Sequence, residues 1–327
     1  MAQLVGRGTY IGIGTESTYG TAVSRTIFFR VLSAGLQDTQ ASERSAELVG
    51  ATGSLGYRFR MQGNIEAGGP VSMLFFYEGA GLLWQHLMRT TVSTAADTPS
   101  SGLHTHTLHL GSTASSFTLE QVKGTSVQGG TTYAETFEGA VCSSWSISCE
   151  VGQPAKLDMT WIAETTTGAD DTPTSPTYTT NYYPVLGHHV VCLWNSVAYK
   201  MRSFRINVDL HNERLYVLGS KVTANPPQTA PPDVVFEAEM LAQDWTLITA
   251  QQAVTESSMV LTVTGTNSTA MTITLRQVAW DSQTSNVQDS NGVQYVRVRG
   301  YALGSSSAST PELTMAIVNT QSSFVAA

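Results

Sequence analysis

Cysteine is scarce. The 327 residues hold three, Cys142, Cys149 and Cys192, too few and too odd in number for a disulfide framework. Cys142 and Cys149 lie seven positions apart, so on one regular strand they point to opposite faces; buried free thiols in a reducing compartment are the expected state. Charge is scarce too. Lys, Arg, Asp and Glu make up 13% of the chain, against a usual ~25%, and a surface so poor in charge suits a chain covered by neighbouring copies of itself. Basic residues are the minority, 17 against 25 acidic for a formal net charge of -8, which excludes a tight grip on phosphates against the protein's own field. No apolar run approaches the ~20 residues that cross a bilayer, and the start, Met1-Ala-Gln-Leu-Val-Gly-Arg-Gly8, carries no signal-peptide pattern. A nucleophile elbow, a phosphate-cradling glycine loop and carboxylates at catalytic spacing are all missing. Gly6-Arg-Gly8 and Gly12-Ile-Gly14 lack the helix a dinucleotide site needs. The sequence leads to no enzyme and no cofactor.

What it contains is a repeated pattern. A strand, Tyr57-Arg-Phe-Arg-Met-Gln-Gly-Asn-Ile65, leads to a helix-like stretch ending at Met88, then to Ser116–Glu120, Trp145–Val151 and Leu157–Ala163. Residues 233–318 follow the same order: Asp233–Met240, a helix-like Trp245–Val254, Met259–Val263 with Met271–Leu275, then Tyr295–Leu303 and Leu313–Val318. A long strand running into a polar loop precedes each block, Ile27–Gln37 and Arg202–Asn212. The halves also match in charge, -4 each for residues 1–165 and 166–327. Two copies of one β-module suggest a building block for a ring.

Alternation assigns faces. Tyr57, Phe59, Met61 and Ile65 oppose Arg58, Arg60, Gln62 and Asn64; Phe204, Ile206 and Val208 oppose Arg205, Asn207 and Asp209; Trp145, Ile147 and Cys149 oppose Ser144, Ser146 and Ser148. These read as antiparallel sheets with one face solvated. Helices are expected only around Val71–Met88 and Asp244–Val254, with Asp244 as an N-cap. Thr165–Asn181, rich in Thr, Pro, Gly and Asp, reads as a linker. Asp38–Gly56 and His211–Pro232 read as long loops at matched positions.

His104 and His106 could share a strand face as a metal pair, but without a third ligand a solvent-facing strand is the reading. In Phe236-Glu-Ala-Glu-Met240 the glutamates share a face, with Asp209 in the same kind of position on the preceding strand. An ordinary solvated face explains them; in a ring they would line a pore and repel phosphate.

Gly12–Thr21, Phe28-Phe-Arg-Val31, His106–Leu110, Ser116-Phe-Thr-Leu-Glu120, and Phe137-Glu-Gly-Ala-Val141 leading to Trp145-Ser-Ile-Ser148 resemble the tail tube (major tail) proteins of long non-contractile-tailed bacteriophages. The resemblance covers most of the chain. It implies an all-β chain of two tandem β-sandwich or half-barrel modules, each with about one short helix: an N-terminal arm at 1–24, a first module at 25–165, the linker at 166–181 and a second module at 182–327. It further implies self-assembly into stacked rings forming the tube through which phage DNA is ejected. Such rings usually hold six modules, so two per chain imply a trimer, and one plus a decorating domain a hexamer. Implied partners are the tape-measure protein, the tail terminator, the distal tail protein and DNA passing transiently through the lumen; the implied location is the virion tail, assembled in the host bacterial cytoplasm.

Carried onto this chain, the resemblance implies a lumen face at Glu66, Asp209, Glu237, Glu239, Arg58, Arg60 and Arg205, where the arginines could pair with acids across subunits. It implies ring-stacking loops at Asp38, Glu43, Arg44, Glu47, Arg214 and Lys221, and an inter-subunit arm with Tyr10, Glu16 and Tyr19. Two other readings stay open. A receptor- or carbohydrate-binding tail or baseplate protein would show an aromatic platform on loops, whereas Trp84, Trp145, Trp161, Trp194, Trp245 and Trp280 mostly sit in regular elements. The inner tube of a contractile injection system is usually built from one module.

Overall fold

A computed structural model describes residues 4–5, 9–44, 60–90, 93–96, 102–112, 115–126, 132–171, 173–178, 184–241, 246–265, 269–281, 286–290, 293–304 and 311–322. Its first half contributes β1 (Leu4–Val5), β2 (Tyr10–Thr15), β3 (Ile27–Ala34), β4 (Gln37–Arg44), β5 (Arg60–Leu74), α1 (Gly81–Leu87), β6 (Ser93–Ala96), β7 (His104–His109), β8 (Phe117–Ser126), β9 (Thr132–Glu150), β10 (Lys156–Ala163) and β11 (Thr165–Asp171). The second contributes β12 (Val190–Trp194), β13 (Val197–Tyr199), β14 (Met201–Asp209), β15 (Asp233–Leu241), α2 (Thr246–Gln252), β16 (Ser257–Thr264), β17 (Ala270–Trp280), β18 (Asn286–Ser290), β19 (Val293–Ala302) and β20 (Leu313–Asn319). Among the described residues the fold is all-β with one short α-helix in each half.

One long antiparallel sheet crosses the molecule. Its strands run β3 with β4, then β5, β10, β9, β14, β15, β19, and finally β17 with β18. In the first half β3, β2, β8, β9 and β11 form a second layer. In the second half β13, β12, β16, β17, β20, β7 and β6 form its counterpart. The 19-residue β9 and the 11-residue β17 each run from one layer into the other. Gly139, at φ +63, turns β9 at that corner, where an added Cβ would lie 2.9 Å from Tyr19 and Glu164 atoms.

The duplication is real at the level of pairing. The first-half pairs β2·β8, β8·β9, β9·β10, β10·β5, β3·β5 and β9·β11 recur as β12·β16, β16·β17, β17·β19, β19·β15, β14·β15 and β17·β20. This shifts the sequence-based match by one strand: β9 corresponds to β17 with β18, β10 to β19, and β11 to β20. The cause is β11. Its sequence, Thr-Thr-Thr-Gly-Ala-Asp-Asp, reads as linker, yet it pairs with β9. The halves are also hydrogen-bonded to each other, β9 to β14 and β7 to β20.

The core lies between the layers. Trp145, Met159 and Val71 sit side by side on neighbouring strands of the long sheet and point inward. Six of the seven α1 residues are buried against them. Trp84 stands edge-on to Phe75 and to Trp145, with ring centroids 5.3 and 5.7 Å away, and the Trp145 indole N–H donates to the Leu87 carbonyl at 3.1 Å. Burying such a side chain contributes about 1.5–3 kcal/mol, and an edge-to-face pair about 0.5–1.5 more. In the second half Trp280 takes that place, between Trp194 and Phe236.

Several local expectations fail for identifiable reasons. Val71–Leu74 finishes β5 rather than starting a helix; α1 begins at Gly81. Asp38, Glu43 and Arg44 lie in β4, not in a loop, because Gln37–Arg44 pairs with β5. Met61 is exposed despite the alternation around it, because this end of β5 pairs only with β4 among the described residues. Cys142 and Cys149 are both buried: an irregularity in β9 beside Thr160/Trp161 skips Ser143, and one extra residue reverses the face that follows. Arg58, Glu47 and Asp244 lie outside the described residues.

Candidate functional site

The solvated side of the long sheet carries the features that the sequence singled out. Because the strands alternate, every second residue projects there, and the register sets these residues in rows across the strands. One row runs Leu74, Lys156, Ser148, Arg205, Glu237, Arg299. The next runs Ser33, Ser72, Asp158, Ser146, Asn207, Val235, Tyr301. On the other side of the first lie Glu150, Ser203, Glu239 and Arg297. Short hydroxyl side chains fill the central strands and leave shallow depressions over Ser148 and Ser144.

Asp209, Glu237, Glu239 and Arg205 do come together on this face, but the face is not uniformly acidic. Arg297 Nη2 lies 2.7 Å from Glu239 Oε1, Arg202 Nη1 lies 3.9 Å from its Oε2, and Arg299 Nε lies 3.4 Å from Glu237 Oε1. Arg202, Arg297 and Arg299 thus pair with acids of their own chain, whereas Arg205 donates to Ser146 Oγ at 3.2 Å. Five basic residues (Lys156, Arg202, Arg205, Arg297, Arg299) face six acidic ones (Glu150, Asp158, Asp209, Asp233, Glu237, Glu239), a formal -1. Asp209 and Asp233 oppose each other, and His211 bridges them, Nε2 at 3.1 Å from Asp233 Oδ2. The alternating Val296-Arg-Val-Arg299 of β19 was the overlooked signal. Glu66 and Arg60 sit apart, on the β4–β5 ribbon.

That ribbon meets the loop that follows β14. Arg214 Nη2 donates to the Ala67 carbonyl at 2.6 Å, Tyr216 Oη to that of Ile65 at 2.9 Å, and Lys221 Nζ to Gln62 Oε1 at 3.0 Å. The loop after β14 therefore docks on β5. Arg214 and Lys221 hold this junction, while Leu218 at the loop's tip is fully exposed.

Tyr10, Glu16 and Tyr19 are bound within their own chain rather than held out as an arm. Glu16 is buried and accepts from Ser116 Oγ at 2.6 Å, Thr118 Oγ1 at 2.9 Å and the Gly139 N–H at 2.9 Å. Tyr10 lies in β2 and donates to the Thr174 carbonyl; burial first, then Glu120, raises its hydroxyl pKa. Tyr19 Oη donates to the Ala224 carbonyl at 3.3 Å. Arg25 pairs with buried Glu120 behind them.

His106 is buried, not solvent-facing, with Nε2 3.0 Å from Asn319 Oδ1 and Nδ1 3.0 Å from Thr94 Oγ1. Among the described residues no group of three His, Cys, Asp or Glu could hold a metal ion, and no helix is long and apolar enough to cross a membrane. Burial pushes the Cys142 and Cys192 thiols up to about 12. The five described tryptophans are in the core, so none forms an exposed platform.

A family model described as phage tail tube protein matches residues 6–314, nearly the whole chain. No curated protein matches it.

Proposed function

The chain belongs to the phage tail tube family, and from that premise we propose that this structural protein of the phage tail assembles into rings whose lumen is walled by the solvated side of the long sheet. The observation that carries this reading is that face itself. It continues across both halves through the β9·β14 joint and presents hydroxyls and paired charges rather than an apolar surface. Hydroxyls and self-neutralised ion pairs offer a passing polyanion neither a run of free cations to bind nor a strong field to repel it. Geometry does the work, and no bond is made or broken.

Two modules per chain favour three chains in a ring of six modules. The ribbon and the loop docked on it are suited to contact the next ring, through Leu218 and its neighbours Val217 and Leu215, all exposed. The tape-measure, terminator and distal tail proteins would meet the ends and interior of such a tube. The buried tryptophans speak against a carbohydrate platform. Electron microscopy of the purified protein tests the reading: hollow rings or tubes are expected, and monomers that bind glycans would overturn it.

A further inference from the structure

We infer that Arg89 and Asn212 share one buried water molecule, which fastens the base of the loop after β14 to the end of α1. It holds the loop within a single chain, with or without a ring, and so goes beyond the assembly reading.

One side of this seam is the end of α1. Arg89 follows the helix in the left-handed region, at φ +51, a conformation that residues other than glycine adopt at a cost. The chain around it leaves little room to move: the Gly111 N–H donates to the Met88 carbonyl at 2.8 Å, and a Cβ added at Gly111 would lie 2.4 Å from the Arg89 carbonyl oxygen. The guanidinium lies inside the protein, Arg89 being 2% exposed. Its Nη1 donates to Gln228 Oε1 at 2.8 Å, and among the described residues its Nη2 has no partner.

Asn212 reaches the same place from the loop. It is 6% exposed and opposes Gln228 in a β-bridge. Its Nδ2 donates to the Cys142 carbonyl at 2.6 Å, while among the described residues its Oδ1 has no partner. Turning the amide over would set two acceptors against each other at that distance, so its orientation is fixed. The N–H groups of Thr229 and Glu213 close the base of the loop, donating to the His211 and Pro227 carbonyls at 2.9 and 3.2 Å. Cys142 brings the two side chains together, because its carbonyl takes the Asn212 hydrogen bond and its thiol lies within electrostatic reach of Arg89.

One buried donor and one buried acceptor are thus left over at a single seam. Buried polar groups are costly unless paired, a charged one most of all. The groups around the guanidinium are neutral: burial, then Arg89, lowers the His86 pKa to about 3, and burial raises that of Cys142 to about 12. Burial lowers the Arg89 pKa itself, with no carboxylate acting against it. An inorganic anion would suit Nη2 but would face the Asn212 oxygen. A water molecule suits both, accepting from Nη2 and donating to Oδ1, and folded chains commonly hold waters at such otherwise unpaired groups. With it in place, the loop cannot leave α1 without stranding the guanidinium.

Two measurements test it. A crystal of the unaltered chain soaked in bromide should show one ordered water within hydrogen-bonding distance of both Arg89 Nη2 and Asn212 Oδ1; a bromide peak at that place, or no solvent there, would overturn the shared water. Tryptic cleavage of the native chain after Lys221, in the same loop, reads the fastening. Arg89→Met and Asn212→Leu should each speed it about tenfold, as expected when a buried donor or acceptor is stranded. The double variant should be no faster than the faster single, because either change alone dissolves the bridge. Rates that multiply, or that do not change, would overturn the coupling. The crystal needs no variant, so it decides the matter even where a variant fails to fold.

Discussion

Replacing both Glu237 and Glu239 by lysine tests whether the solvated face meets DNA. In the fold these carboxylates hold Arg299, Arg297 and Arg202 at 3.4, 2.7 and 3.9 Å. The arginines are 39 to 56% exposed, so each pair contributes at most ~1 kcal/mol. Losing all three therefore costs about 1–2 kcal/mol against a typical stability of ~5–15, and the chain should still fold and assemble. The electrostatic change is larger. The face goes from five basic and six acidic residues to seven and four, from -1 to +3 per chain, with three arginines freed from their partners. Screening confines this to phosphates within roughly 8 Å at physiological salt, and each lysine that captures one adds about 0.9 to the log–log salt slope. Ejection rates of virions with E237K/E239K, E237Q/E239Q and unaltered tubes, measured at low and high salt, give the answer. The lysine variant should eject most slowly at low salt and converge with the others at high salt. Normal ejection at low salt from intact lysine tubes would refute the placement of this face in the lumen.

Gly68→Ala should destabilise the chain by about 1–3 kcal/mol, because Gly68 sits at φ +126 and a Cβ there would lie 2.2 Å from the Trp161 carbonyl oxygen; an unchanged denaturation midpoint would contradict this. Cys142, whose thiol burial pushes up to about 12, should ignore a thiol reagent at pH 8 until the chain is unfolded, and rapid native-state labelling would exclude the buried site. His86 is stacked on Phe117 and Trp161, and burial first, then Arg89, lowers its pKa to about 3. Its contribution is present above the unfolded-state value of ~6.5 and fades as pH falls toward 3, since only the unfolded chain then binds the proton. A His86→Gln chain should accordingly lose less stability than the parent between pH 7 and 4, and equal losses would show that His86 is not the group responsible.

The all-β class, the polar and apolar faces of β9, β14 and β15, and the duplication were legible because alternation writes burial directly into sequence. What stayed hidden did so for physical reasons. β11 is a strand because β9 offers it an edge, not because Thr-Thr-Thr-Gly-Ala-Asp-Asp favours one, and context outweighs strand propensity at such sites. The irregularity at Ser143 flips every later face of β9 without leaving a mark in the pattern. Glu16 falls in the expected inter-subunit arm because its donors, Ser116, Thr118 and Gly139, arrive from segments a hundred or more residues away. The arginine partners of Glu237 and Glu239 come from β19, some 60 residues downstream, a cross-strand relation that spacing alone cannot reveal.

The two halves agree in pairing but not in the charges they present, and this difference bears on the wall they would form. Lys156 and Arg299 occupy equivalent places, as do Arg30 and Arg205, so one row is basic in both halves. Opposite Arg205 and Arg299 stands Glu237, but its counterpart in the first half is Leu74. Asp158 of the first half is replaced by Tyr301 in the second. The second half therefore neutralises its arginines within the row, whereas the first spreads Lys156 and Asp158 over two rows. A wall made of alternating halves would present alternating sectors, one dense in paired charge and one sparse. Substitutions at Glu237 and Glu239 act only on the dense sectors, where freed arginines lie closest together. For this reason the glutamine variant, which unpairs them and removes two negative charges without adding a cation, should slow ejection measurably at low salt rather than leave it untouched.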